Sequence, residues 1–372
     1  MTDLPRFVMV GGFLGAGKTT TIARLAEHFR NLGQRVAIVT NDQTSDLVDT
    51  KSLEALGFPV GEVAGACFCC NFKELTETID RLASDARPEV ILAEPVGSCT
   101  DLVATVMRPL ERVYGRPMLL SPYGVILKPS HGMRILESET RAVQARGFSE
   151  DAEYIFRKQL EEADFVILNR IDQLTGVQVD RLETLLEEQY PQRPIVRFSA
   201  KLGTGLAELL EQFSIEKPRG RQSLELDYDR YAAGEAELGW LNARLRLVLD
   251  GRRSSLEQTA YQLVESLRRM LLEEQAETAH LKAVAAGDGQ SAVANLVSSQ
   301  SPTEISRQSP HESMTIEVVV NARVAIAPDR LEQIVREAVD GLASNLNAEI
   351  DWVALQAFRP GRPVPVHRMA NA

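Results

Sequence analysis

The stretch Arg6-Phe7-Val8-Met9-Val10-Gly11-Gly12-Phe13-Leu14-Gly15-Ala16-Gly17-Lys18-Thr19-Thr20 decides how the rest of the chain is read. Its opening run is short and apolar, the pattern of a buried strand. Gly12 to Thr19 then fit Gly-x-x-x-x-Gly-Lys-Thr, and Thr19 to Phe29 follow with helical spacing. Strand, glycine-rich loop and helix in that order make a phosphate cradle. Glycines let backbone N–H groups turn inward around an anion, and the helix N-terminus adds partial positive charge. Gly12, Gly15, Ala16 and Gly17 shape the loop, Lys18 reaches the β- and γ-phosphates, and the Thr19 hydroxyl is placed to coordinate Mg²⁺. Thr20 is a candidate for the α-phosphate or for capping the helix.

Outward from this loop, apolar runs alternate with amphipathic helices as far as residue 213. Strands are expected at Phe7–Val10, Val36–Thr40, Val90–Ala93, Val125–Leu127, Phe165–Leu168 and Ile195–Phe198. Helices are expected at Lys73–Ser84, Thr100–Val113, Glu150–Glu162, Val179–Gln189 and Leu206–Phe213. That alternation predicts an α/β fold, a P-loop NTPase domain with a mainly parallel sheet covered on both faces. Lys128–Phe148 fits neither period and reads as an insertion, with His131 in it expected to be solvated. The linker is placed at 214–225, around Lys217-Pro218-Arg219-Gly220-Arg221. Residues 226–372 then read as a smaller C-terminal α+β domain, with a ferredoxin-like arrangement as the candidate. Its strands are expected at Leu238–Leu249, His280–Ala285, Ser291–Val297, Thr315–Ala325 and Ile350–Phe358. Its helices are expected at Leu256–Glu274 and Pro328–Leu342. Gly287-Asp288-Gly289 is the hairpin turn, and Ser298–Ser313 is expected to be a mobile loop from its Ser, Pro and Gln content.

Val90-Ile91-Leu92-Ala93-Glu94-Pro95-Val96-Gly97 runs four apolar residues into an acid, as a Walker B strand does. Glu94 is the candidate to hold Mg²⁺ through water or to orient the attacking water. Gly97 is placed to donate its N–H to the γ-phosphate. Phe165–Leu168 runs into Asn169-Arg170-Ile171-Asp172. This approximates the Asn-Lys-x-Asp of guanine-specific P-loop proteins, with Arg170 in place of lysine. The Asp172 carboxylate accepts from guanine N1–H and the exocyclic amine, which adenine cannot match. Ser199-Ala200-Lys201 follows the next strand, where a backbone loop contacts guanine O6. In that order after the phosphate loop, the two elements favour GTP over ATP.

Of four cysteines, Cys67, Cys69 and Cys70 are packed together and Cys99 stands apart. A secreted disulfide framework spreads its cysteines to close loops, so the cluster points to a cytosolic metal or redox site. Thiolates suit zinc, cobalt or copper, and zinc sites usually take four ligands. An extended Cys-x-Cys segment would aim Cys67 and Cys69 the same way, with Cys70 turning back. The fourth ligand is left to water, Glu62, a histidine or a client residue, and Cys99 reads as packing. The competing reading is of three reduced cysteines that only pack.

Net charge is −11 over 372 residues, a poor match for sequence-independent nucleic-acid binding. No apolar run approaches the ~20 residues of a membrane helix. The first strand begins at Arg6, which leaves no room for a leader, so a cytoplasmic protein is expected.

Taken together, the chain resembles the P-loop GTPases of metalloprotein maturation, most closely the CobW-like branch of cobalamin-synthesis proteins and zinc chaperones. Gly12 to Thr20, Cys67-x-Cys69-Cys70, Glu94-x-x-Gly97 and Asn169-Arg170-Ile171-Asp172 carry the resemblance across the first domain. Asn321-Ala322-Arg323 and Pro360 to Arg368 extend it more loosely into the second. It implies a slow GTPase, with Lys18, Asp42 and Glu94 as catalytic residues, that delivers zinc or cobalt to a client protein or cofactor pathway. It also implies dimerisation across the nucleotide face. Where this branch carries Asn-Glu-Phe-Gly-Glu, Asn41-Asp42-Gln43-Thr44-Ser45-Asp46 stands here, closer to the urease-accessory GTPases. This segment is the expected first switch, and GTP is expected to order the thiolates. Two other readings compete: a regulatory switch with structural cysteines and no metal transfer, and an ATP-dependent small-molecule kinase.

Overall fold

Four consecutive apolar residues, Phe7 to Val10, can be buried only in a strand flanked by two others and covered on both faces. In a computed structural model, which describes residues 4–42, 53–54, 56–137, 148–215 and 224–369, strand β1 (Arg6–Gly12) takes that central place. Helix α1 (Lys18–Asn31) and strands β2 (Val36–Asp42) and β3 (Val60–Ala64) follow, then α2 (Phe72–Ala86) and β4 (Val90–Glu94). A π-helical turn, Val103–Met107, leads into the short α3 (Arg108–Arg112), so the expected helix at 100–113 is broken in two. Next come β5 (Leu119–Leu120), β6 (Gly124–Leu127), α4 (Pro129–Leu136), α5 (Glu150–Glu162), β7 (Phe165–Leu168), α6 (Gly176–Gln189), β8 (Ile195–Arg197) and α7 (Leu206–Phe213). The sheet order is β3-β2-β4-β1-β6-β7-β8, with β5 pairing β1, and every recorded pair is parallel.

The strands of this sheet end where the chemistry is needed. Thr40 of β2 stands opposite Glu94 of β4, and Asp42 opposite Ala64 of β3. Helix α6 starts on a capping box, Thr175 with Gln178, which fixes its entry shortly after the Asn169–Asp172 segment. The stretch 128–148, expected to be irregular, is helical in its first part: Pro129 at the first helical turn starts α4. His131 within it is fully buried, edge-on to Phe13 of the phosphate loop at 6.1 Å, and is not solvated as expected.

A second unit has its own antiparallel sheet. After α8 (Tyr228–Glu237) come β9 (Gly239–Leu249), β10 (Ser254–Ser255), α9 (Leu256–Glu273), β11 (Thr278–Gly287), β12 (Gln290–Leu296), β13 (Glu304–Arg307), β14 (Glu312–Ser313), β15 (Thr315–Val324), α10 (Pro328–Leu346) and β16 (Ala348–Phe358). The order β13-β12-β11-β15-β9-β16 contains the split β-α-β arrangement, extended at one edge by a hairpin. Alternation along β9 sends Leu241, Ala243, Leu245 and Leu247 into a core shared with Leu263, Leu267, Ile334 and Val335 of the two helices. Ser298–Ser313 is not simply loop. β13 lies within it because Ile305 and its neighbours find an open edge on β12, and edge pairing outweighs a turn-rich composition.

Contacts group the chain into residues 1–146, 153–231 and 362–372 on one side and 147–152 and 232–361 on the other. The last segment therefore returns to the first unit rather than completing the second. The 214–225 linker falls mainly outside the described residues.

Candidate functional site

The phosphate loop is shaped by its glycines. Gly17, at φ 100°, caps α1 without a side-chain bond, and a Cβ there would stand 2.5 Å from Asn169 Nδ2. The first turn of α1 carries no acid, so its N–H groups are left for an anion. Lys18 is buried, and its ammonium donates to the loop carbonyls of Gly12 at 3.0 Å and Phe13 at 3.5 Å. Thr19 Oγ1 donates to Glu94 Oε1 at 2.9 Å, which joins the two expected Mg²⁺-side residues directly. Hydroxyl and carboxylate oxygens are the donors that Mg²⁺ prefers, so this pair fits the ion. Gly97 packs against the same loop: a Cβ would come within 2.9 Å of Leu14 N and of Lys18 Nζ. Thr20 is exposed. Asp42 ends β2, but its side chain lies outside the described residues, as do Gln43 to Asp46.

The residues expected to read the base converge from three segments. Asn169 acts as a clasp, donating from Nδ2 to Ala16 O at 2.9 Å and accepting at Oδ1 from Ala200 N at 3.0 Å. It thereby ties the phosphate loop to the Ser199-Ala200-Lys201 loop. Ser199, fully buried, donates from Oγ to Asp172 Oδ1 at 2.6 Å and fixes the exposed carboxylate. Arg170 takes a left-handed conformation at φ 61°, which turns the chain so that Asp172 falls beside Ser199. Arg24 of α1 was missed by sequence reading. It braces the same loop through Ala200 O at 3.2 Å and Lys201 O at 2.7 Å. An arginine on the polar side of a helix carries no sequence signal for such a role.

The cysteines sit between β3 and α2. Segment 67–71 is a turn and not an extended run: Cys70 N and Asn71 N both donate to Cys67 O, at 3.0 and 2.9 Å. That turn brings Cys70 round without a further change of shape. Cys67 and Cys69 sulfurs lie 2.9 Å apart and Cys69 and Cys70 3.8 Å, with all three within 4.8 Å of one another. Neither Glu62 nor a histidine joins that group among the described residues. Cys67 and Cys69 are buried and Cys70 half-buried. Bonds from Cys69, Cys70 and Cys99 hold the Cys67 thiol far below the ordinary cysteine range, against the opposing effect of burial. The bond with Cys67 raises Cys69, and it pushes Cys70 up to about 11. One thiolate shared among protonated neighbours is a soft donor set from which a metal displaces the remaining protons.

Two further segments hold the cluster in place. The Asn41 amide, at the end of β2, donates to Val63 O at 2.9 Å and Ala66 O at 2.8 Å and accepts from Phe68 N at 2.8 Å. The C-terminal segment crosses the other side. Val364 N donates to Cys70 Sγ at 3.2 Å, Val366 N to Cys69 O at 2.9 Å, and His367 packs edge-on against Phe72 at 5.1 Å. Arg368 Nε donates to the buried Asp101 at 2.6 Å and latches the segment.

A family model described as CobW/HypB/UreG, nucleotide-binding domain, matches residues 6–197. The zinc chaperone YeiR of Escherichia coli (strain K12) is 26% identical over 200 residues, 52% of this chain and 55% of its own. A zinc chaperone CobW of Sinorhizobium sp is 22% identical over 272 residues, 62% of this chain and 72% of its own. This chain thus spans about half the length of the first of these relatives. Among solved structures, the Zn(II)-bound YjiA GTPase from E. coli aligns at 15% identity over 92% of this chain and 99% of its own, with a TM-score of 0.34. No helix of the described residues is long and apolar enough to cross a membrane.

Proposed function

Because this chain belongs to the family of the CobW/HypB/UreG nucleotide-binding domain, we propose that it is a GTP-hydrolysing metallochaperone carrying zinc or cobalt at Cys67, Cys69 and Cys70. The observation that carries this reading is the packing of three sulfurs within 4.8 Å on a loop that Asn41 ties to the strand beside β4. Zinc-chaperone relatives support it as well.

The residues divide the work. Lys18 moves its ammonium from the Gly12 carbonyl to the β- and γ-phosphates of GTP. The α1 N-terminus receives the phosphate charge through its backbone N–H groups. Thr19 and Glu94 hold Mg²⁺, which when bound neutralises charge developing on the transferred phosphoryl group. Gly97 donates its N–H to the γ-phosphate, and Asp42 and Glu94 orient the attacking water. Asn169, Asp172 and Ser199-Ala200-Lys201 read guanine. The cysteines hold the cargo ion, which passes to the thiolates, imidazoles or carboxylates of a client.

Metal content of the full chain, purified under reducing conditions, tests the reading together with GTP and ATP turnover. About one zinc or cobalt per chain, lost in a Cys67/Cys69/Cys70→Ala triple variant, and turnover of GTP over ATP are expected. A protein that carries no metal yet switches a partner with GTP would instead be a regulatory GTPase. Turnover of ATP would return the kinase reading.

A further inference from the structure

Residues 362–369 return to the first unit and lie across the cysteine turn. They are held there by backbone groups and by one arginine. Val364 N donates to Cys70 Sγ at 3.2 Å and Val366 N to Cys69 O at 2.9 Å, the spacing of an extended chain. Pro363 and Pro365 alternate with these valines and hold the backbone extended. The valine side chains stay 71% and 57% exposed. Further on, Met369 N donates to Ala104 O at 2.9 Å, and Arg108 Nη1 donates to Met369 O at 2.7 Å. The far end of this seat is built around Asp101, which is 1% exposed and left-handed at φ 62°. The π-helical turn Val103–Met107 starts two residues later. Backbone irregularities of both kinds concentrate at functional sites. Asp101 Oδ2 accepts from Arg368 Nε at 2.6 Å and from the Tyr228 hydroxyl at 2.8 Å. Its Oδ1 is buried with no hydrogen-bond partner among the described residues. Arg368 spends its Nη2 donor on Leu224 O instead, at 2.7 Å. The chain's own arginine thus meets one oxygen of a carboxylate that a guanidinium can take by both.

We propose that this seat is a peptide-docking site, filled in the resting chain by residues 363–369, and that it receives an extended, proline-containing, arginine-bearing segment of the client protein. Its purpose rests on the metal-carrying reading above, whereas the docking itself does not. Cys70 Sγ, Cys69 O and Ala104 O offer acceptors to the N–H groups of any extended backbone, so the seat is not tied to the side chains of its present occupant. Asp101 adds the selective part, a buried carboxylate with one oxygen still open. An arginine that engages both oxygens holds better than Arg368, which engages one, and this is how a client segment displaces the chain's own. Displacement takes the Val364 N–H away from Cys70 and sets client residues beside the sulfurs.

A labelled synthetic peptide of residues 362–372 is the probe, read by fluorescence anisotropy against the metal-free full chain. In the parent the tethered segment competes with it at an effective concentration on the order of mM. Arg368→Ala weakens that competitor, so the probe should bind this variant at least about tenfold more tightly than the parent. A probe that itself carries Arg368→Ala should bind the variant chain at least about tenfold more weakly, since it brings no guanidinium to Asp101. Arg368→Lys in the chain keeps the charge and loses the fork, and should fall between parent and Arg368→Ala. Thermal melts establish that the variants are folded. Hydrogen exchange on the parent needs no variant: the amides of Val364 and Val366 should exchange by local opening, at least about tenfold faster than those of β4. Equal binding of the probe to parent and Arg368→Ala, no binding to either, or Val364 and Val366 amides as slow as those of β4 each overturn the proposal. All of these readouts are taken without metal. A chain found to carry no metal therefore sinks the metal-carrying reading alone, and failure of the probe to bind sinks the docking site alone.

Discussion

Replacing Asn169 by alanine removes the clasp between the two loops of the nucleotide site. The magnitude follows from what the side chain does. Its amide is the recorded partner of Ala16 O and of Ala200 N, at 2.9 and 3.0 Å, in a site where Asn169 is 2%, Ala16 0% and Ala200 4% exposed. A buried backbone group left without a partner costs about 1–3 kcal/mol. Two such groups, with some relief from entering water, bring the loss to about 2–4 kcal/mol. In a domain of this size each kcal/mol lowers Tm by about 2–4 °C, so a fall of about 4–16 °C is expected. Nucleotide affinity should suffer too, since the phosphate and base loops are no longer held in register. Losing even about 2 kcal/mol of that preorganisation weakens GDP binding about 30-fold. Thermal melts with and without GDP and Mg²⁺, alongside calorimetric titration, measure both effects. Asn169→Asp is the informative companion. It keeps the acceptor for Ala200 N but sets an oxygen against the Ala16 carbonyl, so it should be at least as damaging. If Asn169→Ala melts within about 1 °C of the parent and binds GDP equally well, the amide is no clasp and the reasoning fails.

Asp172→Asn gives up charge-assisted acceptance from the base, worth about 1.5–3 kcal/mol per bond. GTP affinity should drop about 10- to 100-fold and the preference over ATP disappear in competition against labelled GDP. Gly97→Ala forces a methyl group to within 2.9 Å of Leu14 N and Lys18 Nζ. Overpacking of about 1–3 kcal/mol should weaken GTP binding about 5- to 150-fold in the same titration. Arg368→Ala removes the latch on Asp101 and releases the segment whose Val364 N–H holds Cys70. Iodoacetamide mapped by mass spectrometry should then label Cys70 faster while Cys99 stays slow. Glu162, fully buried between Thr100 and Val103, has its carboxyl held well above the usual range, first by burial and then by Asp101. The folded state therefore keeps a proton that the unfolded chain releases above about 4.5, so stability falls as pH rises from there toward the raised folded value. Glu162→Gln should flatten that fall in melts across pH, and an unchanged slope would count against a protonated Glu162.

What was legible in the sequence is what is local in it. Strand, loop and helix of the phosphate cradle lie within one short run, and the β4 acid and the Asn169–Asp172 segment each end a strand. Period and turn chemistry therefore placed Lys18, Thr19, Glu94 and Asp172 where the fold brings them together. The groups that sequence reading lost act across distance. Asn41 reaches 22 to 27 residues forward, and Val364 meets Cys70 from 294 residues away. Neither contact leaves a periodic trace. The Cys67–Cys70 turn was misread because alternation in an extended chain and a single turn both bring spaced thiols together, and only the bonds to Cys67 O separate them. Ser298–Ser313 shows the limit of composition, since an open sheet edge recruits a strand from residues that alone favour loop.

The placement of the missed groups argues for how such a site would work. A thiolate cage built from one loop would bind its ion as tightly with GTP as with GDP, because nothing in it would feel the phosphates. Here the cluster is held by two parts with different freedom. Asn41 grips it from β2, whose register against β4 is fixed by the sheet. The C-terminal segment touches it through two backbone N–H groups and is latched by one arginine. The sheet cannot yield without breaking a parallel ladder, so the C-terminal segment is the part able to move. That segment touches the half-exposed Cys70 sulfur through Val364 N, so its release would open the cluster to solvent.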